Sequence, residues 1–120
     1  MAQLTEDLIT AVKVLDAKKA IDLRLLDISE QSSLADFFLI ASGTSSTHTG
    51  SLADEVEFKL KERGLYPKNI QADKGKAWII LDYIDFIIHI FDKETREFYS
   101  LERLWRDGAD IDLTEITTVD

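Results

Sequence analysis

Residues 36–42 read DFFLIAS, in which Phe37 to Ala41 form an unbroken apolar run, in a chain of 120 residues. Neighbouring side chains of an extended segment point to opposite faces. Both faces of this one must therefore be covered, which predicts a central strand in a layered sheet. Two more runs of strand length, AWIILDY (77–83) and FIIHIFD (86–92), are separated only by Ile84 and Asp85 and predict a tight hairpin. Between the first run and the hairpin, Leu52, Val56 and Leu60 recur at every fourth residue and Gly64 follows, which predicts a helix over 46–63 with a left-handed stop.

The remaining elements fit around these. Thr5 is placed to cap a first helix, with Glu6 and Asp7 in its first turn. Leu4, Leu8, Ile9, Val12 and Leu15 form its apolar stripe, and Lys18 and Lys19 close it. Residues 20–28 (AIDLRLLDI) read as a partly exposed strand, and 65–72 as a weaker one entered through Pro67, a residue suited to a turn or a sheet edge. Asp92 is placed to cap a last helix in which Phe98, Leu101, Leu104 and Trp105 share a face. The predicted fold is a single α/β domain over 1–106, a mixed sheet of about five strands flanked by helices. In it the second strand, second helix and following strand form a crossover. Residues 107–120 hold five acids and no base and read as a mobile tail.

Composition limits the chemistry. There is no Cys, which rules out disulfides and thiolate metal sites and fits a reducing cytoplasm. MAQLTEDLITAV has no basic, apolar leader pattern, and no apolar run approaches the roughly 20 residues of a membrane span. Fourteen Lys and Arg against 23 Asp and Glu give a net charge of −9, of which −5 lies in the tail. Such a chain repels nucleic-acid phosphates and anionic lipid and favours a basic partner, unless the charge serves solubility alone.

Residues 41–50, ASGTSSTHTG, resemble a phosphate-holding turn between a strand and a helix. No Lys follows the Gly, and the Gly spacing of a dinucleotide site is absent. The alternative is structural, with Gly43 allowing a sharp, positive-φ exit from the strand and Ser45, Ser46 or Thr47 capping the helix. The Asp-x-Asp of Asp110 and Asp112 lies in the tail, and neither His48 nor His89 has an acid or nucleophile that spacing assigns to it. His89 reads as a sheet or core histidine. Trp78 allows two readings: if Ile79 and Leu81 face the core, Trp78, Ile80 and Asp82 face the other side, either buried beneath helices or open. In the open case Trp78 and Tyr83 form an aromatic patch rimmed by Asp82 and Asp85, the pattern of a protein-binding hot spot.

Three blocks, ADFFLIASGTSSTH (35–48), WIILDYIDFIIHIF (78–91) and REFYSLERLW (96–105), together resemble the ribosomal silencing factor, or Iojap-related, family. The likeness spans residues 4–106 and leaves the tail out. It implies a nucleotidyltransferase-like fold without catalysis, because Gly43, Thr44 and Ser45 keep part of that fold's turn while its paired acids are missing. It implies no cofactor and no metal. The implied partner is the large ribosomal subunit, through a basic protein on its intersubunit face, large-subunit protein fourteen. Binding there blocks subunit joining and lowers translation when nutrients are short, and related proteins assist large-subunit maturation. A homodimer when free and a cytoplasmic location go with this reading. The matching partner-surface residues are Trp78, Asp82, Tyr83 and Asp85, with Tyr99, Leu104 and Trp105 from the third block. The rival from another class is a small nucleotide- or metal-dependent transferase.

Overall fold

The computed structural model describes residues 4–30, 33, 35–73, 75, 77–99, 109–111 and 113, with backbone only at 97–99 and 109–110. Helix α1 covers Glu6–Ala17, and Thr5 caps it by accepting a hydrogen bond from the Leu8 N–H at 3.2 Å. Strands β1 (Ile21–Asp27) and β2 (Phe37–Gly43) follow, then helix α2 (Ser46–Glu62). Strands β3 (Asn69–Ala72), β4 (Trp78–Asp82) and β5 (Phe86–Asp92) come next, then helix α3 (Lys93–Tyr99) and strand β6 (Ala109–Ile111).

The sheet order is β3-β4-β5-β2-β1-β6. Every pairing is antiparallel except β2 with β5. Following those directions outward, β3 runs parallel to β2 with β5 and β4 between them. The unit β2–α2–β3 is thus the expected crossover, and the later hairpin fills the gap it leaves. The ordering follows from hydrophobicity. The fully buried β2 takes the interior, while β3, exposed at all four residues, takes an edge.

Helices α1 and α2 pack on one sheet face. Their Leu8, Val12, Leu15, Leu52, Val56 and Leu60 meet alternate strand residues such as Leu25, Leu39, Leu81, Ile88 and Ile90 in the main core. Arg63 joins the two helices by donating from Nε to Asp7 Oδ1 at 2.7 Å. The opposite set of strand residues, Leu26, Phe38, Ile40 and Phe91, forms a second, smaller cluster with Ile28.

Two features depart from expectation. The sheet has six strands, because residues 109–111 pair with β1, Leu25 opposite Ile111 and Asp27 opposite Ala109. Ile111 and Leu113 also pack against the main core. The mobile-tail reading therefore fails for these residues, and 114–120 lie outside the described residues. An open β1 edge with unpaired backbone groups is what the short strand satisfies. Deleting 109–120 should lower the melting midpoint by about 5 °C, roughly 1 kcal/mol for a domain of this size; a thermal scan by circular dichroism measures it.

The second departure is Gly43. It ends β2 opposite Asp92 and does not have positive φ. A Cβ there would stand 2.8 Å from Thr49 Cγ2 and 2.9 Å from the Thr49 backbone nitrogen. The glycine is required by close approach of the strand to the start of α2, not by turn conformation.

The hairpin at Ile84 and Asp85 is as expected, closed by Tyr83 N–H donating to Phe86 O at 3.0 Å. Ile84 itself sits at φ 74°, a conformation that β-branched residues resist, and its side chain is exposed. Ile84→Gly should therefore raise stability by about 0.5–1 kcal/mol, the relieved strain less the added chain entropy of glycine. Urea unfolding of the two proteins measures the difference.

Candidate partner-binding site on the second sheet face

Strand β4 places the site. Ile79 and Leu81 are buried beneath the helices, and Trp78, Ile80 and Asp82 are half-buried on the other side. Helix α3 lies near β5 and β2, where the buried Arg96 donates to Ser42 Oγ at 2.9 Å and Ile21 O at 3.3 Å. The β4 end of this face remains open as a cleft of about 760 Å³. Trp78 and Ile80 form its apolar side, Gln71 and Asp73 come from the β3 edge, and Glu94 and Thr95 from the start of α3. Asp73 and Glu94 make this an apolar cleft with an acidic rim.

The indole of Trp78 is held from beneath. Its ring stacks on Phe91 with centroids 5.0 Å apart, and its Nε1–H donates to His89 Nδ1 at 3.2 Å. His89 is 6% exposed and meets Phe38 edge-on at 4.7 Å. Burial pushes its imidazole down to about 4, so the ring is neutral at pH 7 and Nδ1 keeps its lone pair. The proton is then on Nε2, which is buried and has no hydrogen-bond partner among the described residues.

The acids on and beside β4 also shape the backbone. Asp73 Oδ1 accepts from Ala77 N–H at 2.7 Å and Trp78 N–H at 3.3 Å, which sets the turn into β4. Asp82 Oδ1 accepts from Ile84 N–H at 2.8 Å, bracing the strained hairpin on the Trp78 side of the sheet. Asp85 is exposed at the hairpin, and its carbonyl accepts from Asp36 N–H at 2.9 Å. Asp92 Oδ1 accepts from Thr95 N–H at 2.8 Å and caps α3 as expected.

Tyr83 does not join this surface. It is 4% exposed, stacks on Phe86 at 5.3 Å and belongs to the helix-side core. Strand alternation carries on past β4, so residues 79, 81 and 83 share a face. The expected patch of Trp78 with Tyr83 is thus corrected: the two rings lie on opposite sides of the sheet. Burial, and then the charge of Glu57, push the Tyr83 phenol up to about 12. Tyr99 ends α3, where only its backbone is described, and Leu104 and Trp105 lie outside the described residues.

The hydroxyl-rich segment 41–50 is bound up in local structure. Ser45 caps α2 by accepting from His48 N–H at 3.1 Å. His48 accepts the Thr44 N–H at Nδ1, 2.9 Å, and its Nε2 meets the Lys18 carbonyl at 2.9 Å, so it donates there and joins this loop to the end of α1. Thr49 Oγ1 donates to Ser46 O at 2.8 Å. Among the described residues no three His, Asp or Glu side chains converge as metal ligands, and no helix is long and apolar enough to cross a membrane.

A family model described as "Ribosomal silencing factor during starvation" matches residues 2–120. The chain belongs to the ribosomal silencing factor family. The match runs through the tail, which the three sequence blocks had left out. Among curated relatives, the ribosomal silencing factor of Bacillus subtilis is 35% identical over 104 residues, covering 85% of this chain and 88% of that protein. The one from Halalkalibacterium halodurans is 34% identical over 103 residues, covering 86% and 88%. A crystal structure of a Chromobacterium violaceum protein superposes with a TM-score of 0.82 at 27% identity, covering 99% of this chain and 95% of that one. The α/β fold with a mixed sheet is therefore a silencing-factor fold.

Proposed function

We propose that this chain docks on the large ribosomal subunit through the Trp78 face and sterically prevents the small subunit from joining. The observation that carries the reading is the apolar, acid-rimmed cleft at Trp78, in a chain of the ribosomal silencing factor family with a net charge of −9. A half-buried Trp braced by a rigid sheet presents a large apolar area at low entropic cost, and nearby acids suit a basic partner. A basic ribosomal protein, large-subunit protein fourteen, fits that chemistry. Asp82 and Asp85 then extend the acidic surface toward the hairpin, outside the cleft itself, while Tyr83 contributes through the core.

The protein works without catalysis in this reading, and segment 41–50 supports it, because its polar groups serve the helix cap and the loop. It acts in the cytoplasm and pairs with a second copy when free, as an apolar surface awaiting a partner would.

Sedimentation with purified subunits tests the proposal. The protein should travel with large subunits and not small ones at moderate salt, and should reduce the light-scattering signal of subunit joining. Co-sedimentation with neither, or undiminished joining at saturation, would reject it. A magnesium-dependent change of Trp fluorescence on adding nucleotide would instead favour the transferase reading.

A further inference from the structure

We infer that His89 is a positioning residue for partner binding, holding the Trp78 indole in its binding orientation through the Nε1–H to Nδ1 hydrogen bond. This rests on the proposal that Trp78 contacts the large subunit.

The hydrophobic cluster on the second sheet face is built from Leu26, Ile28, Phe38, Ile40 and Phe91, and the His89 ring packs against Phe38 and Phe91. A Phe would fill the His89 position without burying an unpaired nitrogen, yet an imidazole stands there with Nε2 unsatisfied among the described residues. Packing alone does not favour that choice, since an orphaned buried donor is destabilising. Among the described residues the ring's hydrogen-bond partner is the Trp78 indole, at 3.2 Å. An indole N–H is a donor only, so its partner must present a lone pair, which fixes the imidazole as the Nε2–H tautomer.

The placement also suits the purpose. Register pairs Ile80 with His89 and Trp78 with Phe91, so His89 lies diagonally beneath the indole and Phe91 directly across from it. Phe91 supports the ring's face, a contact that fixes no direction within the stacking plane. The hydrogen bond at the indole edge supplies a direction. His89 is buried, so a partner meets Trp78 and not the histidine. The result is an anchor ordered before binding, which spares the complex the entropy of ordering it.

The test uses His89→Phe, which removes the acceptor, and His89→Asn, which places an amide oxygen near the Nδ1 position. In the free protein, the Trp78 indole N–H resonance (assigned by its loss in Trp78→Phe) should move upfield in His89→Phe and stay near its original position in His89→Asn. Affinity for purified large subunits should fall about tenfold in His89→Phe, the loss of roughly one hydrogen bond, and recover in His89→Asn. Once Trp78 is already Phe, His89→Phe should change affinity no further. An unshifted indole resonance, unchanged affinity, or an equal loss with and without the Trp78 indole would each overturn the inference. Trp78→Ala separates the two readings: if it binds large subunits like the parent, the partner surface is misplaced. If it fails to bind while His89→Phe binds normally, only the role of His89 is wrong. Should His89→Phe fold poorly, His89→Leu, which also removes the acceptor and leaves the indole in place, must show the upfield shift and the tenfold loss.

Discussion

Gly43→Val is expected to cost about 2–3 kcal/mol of stability, among the larger effects a single substitution can have here. The added Cβ would meet Thr49 Cγ2 at 2.8 Å, and also the Thr49 backbone nitrogen at 2.9 Å and Cα at 3.2 Å. A methyl can rotate away, but the backbone of α2 cannot without pulling Ser45 and His48 out of the cap. The strand side is equally constrained, because Gly43 closes the parallel ladder opposite Asp92, which itself caps α3. Urea unfolding of the parent, Gly43→Ala and Gly43→Val gives the answer. Close approach predicts that alanine already carries much of the loss, since its Cβ makes the same contacts. An alanine variant as stable as the parent would show that the strand and helix can separate freely, and the explanation would fail.

Trp78→Ala should weaken binding to the large subunit about thirtyfold, roughly 2 kcal/mol, as truncation of a central interface Trp commonly does. Stability should fall less than the roughly 3–5 kcal/mol seen for a fully buried aromatic. The reason is position: Trp78 is half-buried at the margin of the second cluster, where it meets Phe91 and His89. Thermal unfolding and subunit affinity measured on one sample separate the effects. A protein that melts far earlier, while its folded fraction binds like the parent, would place Trp78 in the core and leave the cleft without a partner role. The comparison matters because Trp78 is asked to do two things, complete the apolar cluster and present a surface. Only the second responds to a partner.

Much of this molecule follows from its sequence by itself. Thr5 and Ser45 cap the helices that their positions predict, Gly64 stops α2 at φ 84°, and the apolar run at 37–41 becomes the buried β2. These are local decisions, made by backbone sterics, capping and side-chain period. Even the Trp78–His89 contact was within reach, because a hairpin centred on Ile84 and Asp85 pairs 78 with 91 and 80 with 89. What period cannot tell is which of a strand's two faces will be covered, and by what. Alternation put Trp78 opposite Ile79 and Leu81, but it could not say that α1 and α2 would both choose the Leu81 side. The alternation itself continues past β4, where residue 83 turns back into the core. Gly43 and β6 were decided the same way. A glycine needed for contact with a helix six residues on reads like a glycine needed for a turn, and a three-residue edge strand has too little pattern to stand out from a tail. Both depend on distant surfaces meeting, and only the packed tertiary structure brings those surfaces together.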